Sequence, residues 1–138
     1  AIRLNEISRE RDAAGATGIR DAFIDEVLAT VPDAVLTGHR ESRLPGNASC
    51  GFPGTRGEGV LLQLEQHDIV CSSGSACAAG SDDPSHVLLA MGFEAAVAQT
   101  AVRFTFDAGT TAEQLHEVAG RLHEAVSAVR SIGVTARS

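Results

Sequence analysis

The sequence predicts an α/β chain of the α+β kind: a small mixed or antiparallel sheet covered on one face by helices. Three observations lead there. Four short apolar stretches read as strands, and three or four longer ones repeat at spacings of three and four residues, the period of a helix. The strands are too short and irregular for a doubly wound parallel sheet. At 138 residues, 43% of them hydrophobic, the chain suits one domain with a core of ordinary size. Aromatic residues make up only 4%, so Ala, Val, Leu and Ile must build that core.

Residues 1–14 are polar, with only Ile2, Leu4 and Ile7 as large apolar side chains. Together with Gly15-Ala16-Thr17-Gly18, a weak point, they read as a helical connector over 1–18. A clearer helix follows. Ile19, Phe23 and Val27 repeat at four, Ile24, Leu28 and Val31 lie beside them, and Pro32 stops it. Ala34–Thr37 is a short strand. Gly38–Asn47 is turn-rich. Ala48–Phe52 is a second strand with Ala48, Cys50 and Phe52 on one face, which makes Cys50 a packed core thiol.

Gly57–His67 reads as a helix with Val60, Leu61, Leu62 and Leu64 inward, and Asp68–Cys71 as a short strand. Asp83-Pro84 suits a helix start, with Asp83 as cap, Val87, Leu88 and Met91 inward, and Gly92 closing it. A short helix over 94–99 follows. Ala101–Phe106 alternates: Val102, Phe104 and Phe106 share one face, Arg103 and Thr105 the other. Thr110-Thr-Ala-Glu113 resembles a capping box before a last helix, in which Leu115, Val118, Leu122, Val126 and Val129 recur at three and four. The tail after Ile132 is expected to fray.

Composition narrows the function. A net charge of −7 argues against a nucleic-acid surface. There is neither an apolar run near 18 residues nor a signal-peptide pattern at the start, so no membrane association is expected. Three cysteines, an odd number, favour a reducing, cytoplasmic setting over a disulfide framework. All 11 basic residues are arginine; the chain has no lysine, and so no Schiff-base chemistry of its own.

One stretch stands out. Cys71-Ser-Ser-Gly-Ser-Ala-Cys77-Ala-Ala-Gly-Ser-Asp-Asp-Pro84 holds two of the three cysteines, and nothing from Ser72 to Ser81 is large enough to anchor it in a core. The stretch is expected to be a mobile surface loop, with Cys77 an exposed, usable thiol. Tight Cys pairs of the structural-zinc kind are absent, so no metal site is expected. The Gly-Ser-Ala context lacks the nucleophile-elbow pattern of a hydrolase. Ser-Ser-Gly-Ser alone is too short a signal for a phosphate cradle.

His86, nine residues beyond Cys77, either assists its ionisation or is an ordinary surface residue at a helix start. Arg103, a cation amid an apolar strand, calls for a carboxylate or phosphate ligand or pairs with one of the chain's 18 acids; the pattern leaves both open.

Ser72-Ser-Gly-Ser-Ala-Cys77, followed by Pro84-Ser-His-Val-Leu88 and Met91-Gly92, resembles the C-terminal part of the cysteine desulfurases of the class V aminotransferase superfamily. Arg43-Leu-Pro-Gly-Asn47, Gly57-Glu-Gly-Val-Leu-Leu62, Ala101-Val-Arg-Phe-Thr105 and Thr110-Thr-Ala-Glu113 extend the resemblance in the family's order over about residues 19–130. The Gly-Ser-Ala-Cys form of the loop is similar to group I of that family.

The resemblance implies that residues 1–138 are a single C-terminal small domain of a fold-type I pyridoxal-phosphate enzyme, without its large cofactor-binding domain. It implies that Cys77 accepts sulfur from L-cysteine as a persulfide, leaving L-alanine, and that Arg103 binds the substrate carboxylate. Pyridoxal 5'-phosphate would belong to the large domain, with no cofactor-binding residue in this chain. Sulfur would pass to an acceptor protein for iron–sulfur clusters or tRNA thiolation, and the complete enzyme would be a homodimer. A stand-alone thiol carrier or redox module, and an inactive structural domain, are the other readings the residues allow.

Overall fold

The computed structural model describes residues 2–74 and 83–135. Its elements are α1 (Ile2–Thr30), β1 (Val35–Leu36), β2 (Asn47–Gly51), α2 (Gly57–Glu65), β3 (Ser72–Ser73), α3 (His86–Ala90), α4 (Ala95–Gln99), β4 (Val102–Thr105) and α5 (Ala112–Thr135). The strands form one sheet in the order β1-β2-β4-β3, antiparallel at every pairing.

Alternation along β2 and β4 sends Ala48, Cys50, Val102 and Phe104 to one face. There α1, α2 and α5 close over them with Phe23, Ile24, Val27, Val60, Leu64, Leu122 and Val126. The Phe23 and Phe104 rings meet edge to face, their centres 5.3 Å apart. The short α3–α4 pair covers only one end of the opposite face, around a small cluster of Leu88, Ala98 and Ala101. Gly51 makes that approach possible: a Cβ there would stand 2.6 Å from Val97 Cγ1 and 2.9 Å from its carbonyl oxygen.

Several expectations are corrected. The weak point at Gly15–Gly18 does not interrupt α1, which runs unbroken to Thr30. Neither glycine has a neighbour that a side chain would meet, so each costs only its helix propensity, about 1 kcal/mol. Packing of α1 along α5 outweighs that cost. The strand expected over Asp68–Cys71 forms instead at Ser72–Ser73.

Ser85, not Asp83, caps α3, its side chain accepting from the Leu88 N–H. Of the apolar residues expected to pack inward from α3, Leu88 is buried, but Val87 is 65% and Met91 52% exposed. Leu62, expected inward on α2, is 59% exposed. The capping box lies one residue later than expected: Thr111 Oγ1 accepts from Gln114 N–H at 3.2 Å, and Gln114 Oε1 accepts from Thr111 N–H at 2.9 Å. Gly92, at φ +90°, does close α3 as expected.

Arg20 is the buried polar anchor of the fold, 2% exposed. Its Nε and Nη2 donate to Asp21 Oδ1 at 2.9 and 2.7 Å, and its Nη1 donates to the carbonyls of Arg43 and Leu44 at 3.3 and 3.2 Å. It thereby ties the turn-rich segment 38–46 to α1. Arg40 adds to the tie, its Nη2 donating to the Asp21 carbonyl at 3.2 Å and to Asp25 Oδ1 at 2.7 Å, while Arg43 braces the segment itself, donating to the carbonyls of His39 and Thr37, each at 2.7 Å. Burial, reinforced by the neighbouring Arg20, lowers the Arg43 pKa.

Arg20→Leu keeps the volume apolar but strips the Arg43 carbonyl of its donor. A loss of about 2–3 kcal/mol is expected in urea unfolding, the scale of charged hydrogen bonds lost at a buried site. Amide exchange across 38–46 should also quicken. An unchanged midpoint would show that the tie contributes nothing.

Candidate functional site

Arg103 stands in the middle of β4, on the face away from α1, α2 and α5. The register places Ser49 of β2 on one side of it and Ser72 of β3 on the other. Ser49 Oγ accepts from Thr37 Oγ1 at 2.7 Å. The guanidinium therefore rises from a row of small hydroxyl residues across the sheet, and it is exposed. Among the described residues no carboxylate pairs with it. Of the two partners the sequence left open, an internal acid is not found among the described residues. A planar fork of N–H donors on an open, polar sheet face suits an incoming carboxylate.

Cys77 lies outside the described residues, as do residues 75–82 as a whole, so the expected mobility of the loop falls there too. The described ends of that stretch are well placed. Gly74 N–H donates to the Ala101 carbonyl at 2.8 Å, and Ser85 N–H donates to the Ala98 carbonyl at 3.4 Å. Both ends are thus fastened to residues 98–101, which end two residues before Arg103 in the chain. A Cβ on Gly74 would stand 2.8 Å from that of Ala101, so the close seating at this end requires glycine.

The two described thiols are both withdrawn from solvent. Cys50 is buried in the core, as its alternation predicts, and burial pushes its pKa up to about 12 against a partial pull from Arg43 and Arg40. Cys71 is half-buried; burial first, and Glu65 second, push it up to about 11. Neither is a ready nucleophile. His86 is exposed at the first turn of α3. Among the described residues no group of His, Cys, Asp or Glu is placed to hold a metal ion, and no helix is long and apolar enough to cross a membrane.

Sequence reasoning missed the hydroxyl row around Arg103, whose only signal is strand register. It also missed Arg20, which had a signal: with Ile24, Val27 and Val31 it falls on the buried stripe of α1.

No family model matches the chain. Curated relatives do. A cysteine desulfurase IscS of Dictyoglomus turgidum is 36% identical over 132 residues, which is 96% of this chain and 34% of that protein. The cysteine desulfurase NifS of Azotobacter vinelandii is 37% identical over 123 residues, 89% of this chain and 31% of that protein. An IscS-like cysteine desulfurase of Mycobacterium tuberculosis is 42% identical over 97 residues, 70% of this chain and 25% of that protein. The chain thus spans about a third or less of the length of these relatives.

Among solved structures, a NifS-like protein superposes at TM-score 0.72 with 25% identity, over 91% of this chain and 30% of its own. Another, from Rickettsia africae, superposes at TM-score 0.73 with 21% identity, over 92% of this chain and 32% of its own, a likeness of fold.

Proposed function

We propose, from the premise that this chain is related by descent to the C-terminal part of the cysteine desulfurases, that it supplies the sulfur acceptor and the substrate-carboxylate site of such an enzyme. The observation that carries the reading is Arg103: an exposed guanidinium at mid-strand, with no acid paired to it among the described residues, beside the anchored ends of the stretch that holds Cys77. Cys77 is three residues beyond Gly74, a span of about 10 Å at full extension.

The reaction proposed is L-cysteine plus the Cys77 thiol giving L-alanine and a Cys77 persulfide. The thiolate forms the S–S bond as the substrate C–S bond breaks, and the substrate carbon takes up the proton. No outside oxidant is needed. The persulfide then passes to an acceptor protein serving iron–sulfur clusters or tRNA thiolation.

The cofactor that relatives of this kind use, pyridoxal 5'-phosphate, does not fit this chain alone. The sequence has no lysine to bind it covalently. The reading therefore places the cofactor in a separate large domain, with the assembled enzyme a cytoplasmic homodimer. What this chain's residues do is hold the substrate carboxylate and receive sulfur.

The test is Arg103→Lys in a protein that joins this chain to the large domain. Charge is kept and the planar fork is lost, so kcat/KM for L-cysteine should fall about tenfold or more, the scale of one charge-assisted bond. Competitive inhibition by L-alanine should weaken with it. An unchanged kcat/KM removes Arg103 from the site.

A further inference from the structure

The sheet is incomplete along one edge, and a groove lies there. Segment 67–69 is held against the end of α2: His67 N–H and Ile69 N–H both donate to the Leu64 carbonyl, at 2.9 and 3.1 Å, and Asp68 N–H donates to that of Glu65 at 3.0 Å. Asp68 takes a left-handed turn, φ +59°. The chain rejoins β4 only at Ser72, opposite Arg103. Gly74 bonds Ala101 across this edge, so odd-numbered β4 residues face β3, while Phe106 N–H points the other way to the Gly46 carbonyl. Thr105 therefore presents its backbone edge to a gap with no ladder partner among the described residues.

The gap is a groove of about 350 Å³. Ile69, Phe104, Phe106, Leu115 and Val118 supply most of its apolar lining; its ionisable part is Asp68, Glu117 and His67, beside neutral Thr105, Thr110 and Gln114, and no arginine lines it. Val70, at its edge, is 83% exposed. The groove opens on the helix side of β4, the face opposite Arg103, so it is separate from the proposed sulfur-transfer site.

We infer that this groove is a docking site for a basic, extended segment of a partner protein that seats an aromatic or branched side chain on the partly exposed Ile69, Phe106 and Val118. Three features converge on that occupant. The open backbone edge at Thr105 accepts a strand. The apolar lining accepts a large side chain. Two carboxylates at the groove, in a chain of net charge −7 and with no arginine in the lining, select a cationic segment over an acidic one.

The test titrates the 138-residue chain with an acetylated Arg-Phe-Arg-Val-Arg-Phe amide, against the same peptide with glutamate for arginine, following amide chemical shifts. Saturable shifts are expected at Thr105, Gln114 and Val118 with the basic peptide. Glu117→Arg, a change at an exposed helix position, should weaken binding about tenfold without disturbing amides elsewhere, and Asp68→Asn, which tolerates the left-handed turn, by a lesser factor. Equal binding of the acidic peptide overturns the inference, as do shifts confined to other surfaces or an undiminished affinity in Glu117→Arg. Self-association through the same amides without peptide overturns it in favour of a contact between copies.

Discussion

Cys77→Ser is expected to abolish persulfide formation on this chain. Joined to a large domain and given L-cysteine, the parent should gain the mass of one sulfur atom on the tryptic peptide holding Cys77, and the serine variant should gain none. The effect should be complete, because the two remaining thiols cannot stand in. Cys50, with a pKa pushed up to about 12, and Cys71, at about 11, are almost wholly protonated near pH 8. Their thiolate fractions there are on the order of 10⁻⁴ and 10⁻³. Cys50 is also sealed in the core between the sheet and its helices. Undiminished sulfur uptake by the serine variant, mapped to Cys50 or Cys71, would falsify the acceptor role given to Cys77. With polysulfide in place of L-cysteine, the isolated chain should show the same contrast, independently of any cofactor.

The second large effect separates the three thiols by rate. Iodoacetamide at pH 8 should label Cys77 first, Cys71 more slowly and Cys50 last. Ionisation alone makes Cys50 about a thousandfold slower than an ordinary thiol, and the need to open the core slows it further. Denaturant should raise Cys50 labelling only across the unfolding transition.

The same raised pKa has a consequence for stability. Folding keeps Cys50 neutral, whereas in the unfolded chain it ionises near its ordinary value of 9.0. The stabilisation is therefore fully present below about pH 9 and is lost as pH rises toward about 12. Cys50→Ala, although it leaves a cavity, should flatten that alkaline decline. Labelling of Cys50 at the rate of Cys77 in the native state would contradict both the burial and the contrast in roles.

Much of the helix-covered core was legible because it is local. The alternation of Val102, Arg103, Phe104 and Thr105 is the alternation of a strand with one buried face, and the structure keeps it. The spacing of Leu115, Val118, Leu122 and Val126 is that of a helix lying on a core. Where the reading slipped, the competing interaction was distant. Val87 and Met91 obey helical spacing, yet α3 lies at one end of the less covered sheet face, where only Leu88 finds apolar company. Asp68–Cys71 has strand composition, but the end of α2 captures its backbone first.

By itself the sequence determined the order and type of most elements, the core position of Cys50, the want of any lysine, and the short motifs shared with the cysteine desulfurases. Each of these is written in neighbouring residues or in bare composition. Tertiary structure alone decided that Ser49 and Ser72 flank Arg103, that Arg20 is sunk beneath the segment it ties down, and that β3 joins β4 too late to close the groove at Thr105. These are properties of pairs of residues far apart in the chain. Register and the burial of a charge are settled only when the helices close over the sheet, where the cost of an unpaired polar group selects one arrangement among those that local periodicity permits.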